Sequence, residues 1–311
     1  MLQHAVARQA GLVLVIITAL RGVGAQYCPS GAATACDSVL IVHADPKYVT
    51  DVQTTLQSTG AFNKVECFDA STATPTSAQL ASYDAVLVYS NRDFWNAEIL
   101  GDRLATFHDN GGGVVVAMYA NSGNLDGNIL AGAYGTAANG YALLNYNLGG
   151  KSDIADSLGE VLELQSPLMA GVTSFTSSLA SRSTAPVITG RAVVVVKWSG
   201  GGKEPLVVRG VRGSRTLVEL NFFPVSSRTL SNQWTGNGAE LLRNALKYSR
   251  CKFCQPGTFS VTGEEQHRGK RHVLVWQRGN RRQWSRQWDG AGESDMNSTS
   301  HYKNISPTNS R

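Results

Sequence analysis

The hydrophobic pattern of the chain alternates between short apolar runs and stretches with helical periodicity. Largely apolar runs occur at residues 39–42, 64–68, 83–89 and 114–116. Continuous runs rich in valine are typical of strands buried on both faces of a parallel sheet. Between these runs, residues 49–59 and 97–109 place apolar side chains at helical spacing. This order predicts right-handed crossovers and a parallel sheet that is covered by helices.

The second half of the chain has a different pattern. Residues 122–150 are rich in Gly, Asn, Ala and Tyr, and they predict a long excursion with one short helix at 127–132. Strand-like runs follow at 191–198, 205–209 and 215–220, and a closing amphipathic helix is expected at 238–248. Alternation in the last two runs indicates antiparallel strands with one solvated face. The predicted fold class is therefore α/β, with a mostly parallel sheet, helices on both faces and an antiparallel extension.

Charge and composition exclude one class of partner. The net charge is +5, but residues 261–311 contain nine Lys/Arg and five Asp/Glu and so contribute +4 of it. The body of the chain is nearly neutral once Arg8 and Arg21 of the N-terminal leader are set aside. A nucleic-acid-binding surface is therefore not predicted.

The N-terminus has the features of a secretory signal peptide. Arg8 precedes an apolar run at 11–20, and the small residues at 22–25 suit cleavage near Ala25. The run has about ten apolar residues, whereas a membrane-spanning helix needs about 20, and no later stretch approaches that length. We therefore expect residues 1–25 to be a signal peptide, no transmembrane segment, and a protein that is secreted or on the extracellular surface.

Cysteines and glycosylation motifs agree with that compartment. The five cysteines are an odd number, so one is left free or pairs with a missing partner. Cys28 and Cys36 are the candidates for a small disulfide loop, and Cys67 is expected to be a core thiol. Asn297 and Asn304 begin glycosylation sequons.

Candidate ligand-binding residues follow the strands, because ligands of open α/β sheets bind at the carboxyl ends of the strands. His43 and Asp45 could bind a metal or a polar ligand, or simply bond loop backbone. Asp93 could contact a ligand or cap the next helix, and Trp234 could stack on a sugar or close the core. His108 ends a helix and is expected to interact with its dipole. The predicted ligand-binding residues are His43, Asp45, Asn91, Asp93, Tyr119, Asn121 and Trp234.

The exit of the central strand, residues 118–124, is where a nucleophile would be expected. It contains Tyr119, Asn121 and Ser122, without a cysteine or a Gly-x-Ser-x-Gly elbow. The three glycines at 111–113 precede a strand, whereas a phosphate-binding loop follows one. Neither a covalent nucleophile nor a phosphate loop is therefore predicted here.

Several segments together resemble the class I glutamine amidotransferase-like superfamily, most closely its ThuA-like branch. The similar segments are LASYDAVLV at 80–88, FHDNGGGVV at 107–115, SPLMAGV at 166–172, VELNFFP at 218–224 and the helix at 238–248. Ser166 stands where that branch usually has histidine. The resemblance covers about residues 38–249 and implies a flavodoxin-like sheet. It does not carry over amidotransferase activity, because no cysteine lies near residues 118–120 and no histidine follows the last strand. No catalytic residue, metal or cofactor is predicted.

Residues 251–260, CKFCQPGTFS, resemble the start of an ephrin-receptor-like cysteine-rich repeat. The repeat stops before its remaining cysteines, which leaves Cys251 and Cys254 without the partners that such a repeat supplies. The expected organisation is a signal peptide (1–25), an amidotransferase-like domain (27–250), the start of a repeat (251–260) and a disordered or spurious tail (261–311).

Three functional hypotheses follow. The first is a secreted or cell-surface protein whose non-catalytic domain binds an extracellular ligand, carbohydrate being one candidate, or serves as an interaction module. The alternative is a carbohydrate-active hydrolase or isomerase that uses His43, Asp45 and Asp93 with a metal. The third is a purely structural surface protein.

Overall fold

The computed structural model describes residues 36–122, 126–146, 151–185, 187–188, 190–200, 204–250, 258–261, 273–277 and 283–287. The chain divides into two compact units, Met1–Phe253 and Cys254–Arg311. The predicted signal peptide lies outside the described residues, as do Cys28, Cys251, Cys254, Asn297 and Asn304.

The first unit contains ten strands and five α-helices among its described residues. The strands are β1 (Ser38–Ala44), β2 (Lys64–Asp69), β3 (Ala85–Ser90), β4 (Gly113–Ala117), β5 (Lys151–Val161), β6 (Phe175–Ser183), β7 (Ala192–Trp198), β8 (Pro205–Arg212), β9 (Arg215–Leu220) and β10 (Trp234–Gly236). The helices are α1 (Val49–Ser58), α2 (Ser77–Ala81), α3 (Ala97–Asp109), α4 (Gly132–Gly135) and α5 (Gly238–Ser249). Short 3-10 turns occupy Asp126–Asn128, Ala137–Asn139 and Pro167–Met169.

All ten strands form one sheet with the order β10-β6-β5-β7-β8-β9-β4-β3-β1-β2. The five strands from β9 to β2 pair in parallel, and the remaining pairs are antiparallel. The predicted α/β fold class with its antiparallel extension is confirmed. The extension is larger than the sequence indicated, because β5 and β6 were not predicted from it.

The core consists of two apolar layers, one on each face of the sheet. Val39 and Ile41 of β1 belong to the layer beneath α1 and α5, whereas Leu40 and Val42 belong to the layer beneath α2, α3 and α4. Successive side chains of a strand point to opposite faces. A continuous apolar run is therefore needed wherever helices cover both faces.

The helix predicted at 127–132 is wrong. A 3-10 turn occupies Asp126–Asn128, and α4 begins only at Gly132. The N–H of Leu130 donates to the carbonyl of Ala120, and the N–H of Ala131 donates to that of Ala97. These tertiary hydrogen bonds use backbone groups that a helix at 127–132 would need.

The second unit contains an antiparallel sheet in the order β11-β12-β13, with β11 at Thr258–Val261, β12 at Val273–Gln277 and β13 at Gln283–Gln287. Paired backbone therefore occurs within the segment 261–311 for which the sequence indicated disorder. The assignment of that whole segment as disordered or spurious stays a prediction. Among the described residues, no helix is both long and apolar enough to cross a bilayer.

Candidate functional site

The connectivity of the parallel strands places a crevice between the carboxyl ends of β1 and β3. β1 has β2 on one side and β3 on the other, so the connections that leave β1 and β3 diverge. Ligands of open α/β sheets bind at such a point, where the strand order reverses. His43 and Asp45 lie at the end of β1 and Asn91 follows β3, so the structure brings these three predicted residues together.

His43 is buried and bonded to the neighbouring loop. The N–H of Asp45 donates to Nδ1 of His43 over 3.1 Å, and the imidazole stacks on Tyr89 with 6.1 Å between ring centroids. Burial lowers the pKa of His43, although the charge of Asp69 acts in the opposite direction. In the neutral ring that accepts at Nδ1, the proton is on Nε2. The sequence left two roles open for His43, binding a ligand or forming a hydrogen bond with the loop backbone. The observed geometry is that of the second role.

Asp45 is a buried carboxyl with an unused acceptor. Its side chain is 1% exposed, and Oδ2 accepts no hydrogen bond from the described residues. Burial raises its pKa to about 6, while the Asn91 amide and the N–H groups of Lys47 and Tyr48 act to lower it. The group therefore titrates near neutrality at the point where the topology predicts a ligand.

A pocket of about 290 Å³ opens between α1, with the two residues before it, and the loop that follows β9. Its wall includes four residues that bear hydroxyl groups and two cations. The lining residues are Lys47, Tyr48, Thr50, Asp51, Thr54, Arg228 and Thr229. None of these seven residues was among the sequence-based candidates.

Asp51 holds the two walls of this pocket together. Its carboxylate accepts from the N–H of Ser226 at 2.6 Å, the hydroxyl of Ser226 at 2.8 Å and that of Thr229 at 3.0 Å. Asp51 and Ser226 are separated by 175 positions in the chain. No local pattern could have revealed this pairing, because it depends on β9 lying in the same sheet as β1.

The exit of β4 is filled by side chains that support the fold. The hydroxyl of Tyr119 donates to Ser181 of β6 over 2.9 Å, and its ring packs against Phe223. Asn121 and Ser122 are fully buried. The position where a nucleophile would be expected is thus covered.

The loop that follows β3 contains two of the predicted ligand-binding residues, Asn91 and Asp93. Asn91 and Asp93 are exposed, and Asp93 lies against Gly127. Asp93 does not cap α3, because the Asn96 side chain accepts from the N–H of Ile99 at 2.8 Å. Trp95, in the same loop, is 69% exposed, although the sequence offered only its position after β3 as a signal.

Trp234 and His108 lie in the core. The indole of Trp234 stacks on Phe175 and donates to the carbonyl of Pro224 at 3.1 Å. This is the core-closing role that the sequence left open beside sugar stacking. His108 is buried, with Nε2 at 3.0 Å from the carbonyl oxygen of Thr216, and burial lowers its pKa.

The described residues contain no group of three or more His, Cys, Asp or Glu side chains that could hold a metal ion, so His43, Asp45 and Asp93 do not form one. Cys36 and Cys67 form no disulfide with another described cysteine, and burial raises the pKa of the Cys36 thiol to about 12 and that of the Cys67 thiol to about 11. The Cys28–Cys36 disulfide stays a prediction.

Comparisons with known proteins give distant structural likenesses. No protein-family model and no curated protein matches the chain. A cytoplasmic protein from Salmonella typhimurium is similar with 14% identity and a TM-score of 0.47, over 70% of this chain and 99% of that one. A protein from Bacteroides uniformis described as ThuA-like has 16% identity and a TM-score of 0.47, over 71% and 94%. A glutamine amidotransferase from Thermotoga maritima has 12% identity and a TM-score of 0.39, over 64% and 81%.

Proposed function

We propose that this chain is a secreted or cell-surface protein whose α/β domain binds a small hydroxylated ligand, a carbohydrate, without transforming it. The observation that carries the proposal is the pocket of about 290 Å³, whose lining residues come from the chain that follows the carboxyl ends of β1 and β9. Four of its lining residues, Tyr48, Thr50, Thr54 and Thr229, bear hydroxyl groups. Hydroxyls both donate and accept hydrogen bonds, which suits them to the hydroxyls of a sugar.

The residues at the exit of β4 support binding without turnover. Acyl transfer through a covalent intermediate needs an activated nucleophile at such a strand end. Residues 118–122 are Met, Tyr, Ala, Asn and Ser, and Ser122 is buried. His43 uses Nδ1 to accept from loop backbone, which removes that nitrogen as a general base.

Titration calorimetry of the full chain with a panel of neutral and acidic sugars tests this proposal. Thr54→Val removes one pocket hydroxyl at nearly constant shape, and we expect it to weaken sugar binding about tenfold. Thr106→Val is the matched control, because Thr106 is an exposed threonine of α3 on the opposite face of the sheet.

Two results would contradict the proposal. One is that no sugar binds, and the other is that Thr54→Val and Thr106→Val have the same effect. The bound sugar should also be recovered chemically unchanged, as followed by NMR. Accumulation of a hydrolysed or isomerised product would favour the carbohydrate-active enzyme instead.

A further inference from the structure

The charged residues of the pocket indicate which kind of sugar it binds. This inference rests on the proposed function, in which the pocket is the binding site. Lys47 and Arg228 are both exposed and both line it. In the part of the chain that the structure describes, neither forms an ion pair with a carboxylate. Two cations and a single acidic residue on the wall of one pocket favour an anionic partner.

Asp51 is the one acidic residue on the pocket wall, and its oxygens are already occupied. Ser226 donates to it twice and Thr229 once. With Lys47 and Arg228 against Asp51, the lining side chains carry a formal net charge of +1.

Arg228 is held in place before any ligand arrives. Its Nη2 donates to the hydroxyl of Thr55 at 2.7 Å, and Thr55 is fully buried on α1. A guanidinium has five N–H donors in a planar fork. The Thr55 hydrogen bond therefore orients the group and leaves donors for a ligand.

The positive character is local. Residues 1–260 contain 19 Lys/Arg and 18 Asp/Glu, and two of the arginines, Arg8 and Arg21, lie in the predicted leader. A body with so little net charge does not attract polyanions in general. Attraction confined to one small pocket indicates recognition of a single acidic group.

We infer that the ligand of this pocket is an acidic sugar, whose carboxylate, sulfate or phosphate group lies between Lys47 and Arg228 while its hydroxyls contact the threonines and Tyr48. Hydrogen bonds in which the donor or the acceptor is charged are roughly twice as strong as those between neutral groups. The acidic form of a sugar should accordingly bind more tightly than its neutral parent.

Titration of the full chain with glucose, glucuronate, glucose 6-sulfate and glucose 6-phosphate tests this inference. We expect at least one acidic sugar to bind about tenfold or more tightly than glucose at low salt, and its affinity to fall as salt rises. The ranking of the three acids identifies the source of the charge. Inorganic sulfate and phosphate, titrated alone, report on the anion contact without the sugar.

Lys47→Gln and Arg228→Lys separate a specific contact from general charge. We expect Lys47→Gln to remove most of the preference for the acidic sugar. Arg228→Lys keeps the charge but loses the fork, so it should weaken binding several-fold. Lys197→Gln is the control, because Lys197 lies on β7 and pairs with Glu160.

The outcomes distinguish this inference from the proposed function. If glucose and all the acidic sugars bind equally, or if Lys47→Gln and Lys197→Gln have the same effect, the acidic ligand is wrong while sugar binding stands. If inorganic sulfate or phosphate binds through Lys47 but no sugar binds, the anion contact stands and the carbohydrate is wrong. If nothing binds, both are wrong.

Discussion

Glu219 is a carboxyl group buried in the core of the sheet. It lies in the parallel strand β9 and is 1% exposed. Its Oε1 accepts from the N–H of Leu143 at 2.7 Å and from the hydroxyl of Tyr146 at 2.9 Å, whereas Oε2 accepts nothing from the described residues. Burial raises the pKa of Glu219 from 4.5 to about 7. The folded protein therefore binds this proton more tightly than the unfolded chain.

The consequence is a measurable pH dependence of stability. The contribution of Glu219 is most favourable below about pH 4.5 and declines as the pH rises through about 7, a loss on the order of 3 kcal/mol. Glu219→Gln keeps an acceptor for Leu143 and Tyr146 but cannot ionise. We expect urea unfolding to show the variant more stable than the wild type at pH 8, with a much smaller difference at pH 5.

The control for this prediction is Glu160→Gln, because Glu160 is an exposed carboxylate on β5. It should leave the pH dependence unchanged. A Glu219→Gln protein with the same pH dependence as the wild type would show that Glu219 is not the group responsible.

The sequence predicted the strands and helices whose stability depends on burial of apolar side chains. It missed the strands that are held in part by polar contacts. β1, β3, β4, α3 and α5 all appear close to their predicted positions. β5 and β6 are rich in serine and charge, and part of their cohesion comes from buried Arg182, which pairs with Asp156 at 3.1 Å and Glu204 at 3.3 Å. Such pairs have no periodic signature, because Asp156 and Glu204 are far from Arg182 in the sequence.

The contact between α3 and α4 determines whether alanine at position 101 raises or lowers the free energy of unfolding. Gly101 lies inside α3, where replacement by alanine would add about 1 kcal/mol of stability from helix propensity alone. In the folded protein a Cβ at this position would overlap the carbonyl oxygen of Ala131. Overpacking against backbone costs about 1–3 kcal/mol, so we expect Gly101→Ala to lower the free energy of unfolding.

Chemical denaturation measures this effect, and Thr106→Ala on the exposed side of α3 serves as the comparison. It should change stability by less than about 1 kcal/mol, since Thr106 is exposed. A Gly101→Ala protein more stable than the wild type would mean that α3 and α4 do not approach each other so closely.

For the whole molecule, two kinds of strand pairing meet in one sheet. β9 pairs in parallel with β4 and antiparallel with β8, so it joins the two halves. Asn221, directly after β9, reinforces the junction. Its side chain accepts from the N–H of Ser183 at 2.6 Å and donates to the carbonyl groups of Ser183 and Pro205. The pocket depends on this junction, because the loop after β9 supplies Arg228 and Thr229.

Secretion is the whole-molecule prediction that the signal-like leader supports. When the full chain is expressed in a eukaryotic cell, we expect it in the medium with an N-terminus near Gln26, as determined by mass spectrometry. Asn297→Gln should remove more glycan than Asn304→Gln, because Pro307 follows the second sequon. A protein retained inside the cell with residues 1–25 intact would overturn the prediction.

The sequence by itself determined the parallel half of the fold, because only continuous apolar runs can be buried on both faces of a sheet. It also placed His43, Asp45 and Asn91 at the carboxyl edge, since strand order along the chain implies which ends point the same way. Only the tertiary structure decided which residues form the pocket, because the loop after β9 reaches α1 across 175 positions through Asp51 and Ser226. It also decided that Trp234 closes the core while Trp95 faces solvent, a choice that depends on the surroundings of each ring rather than on the residue type.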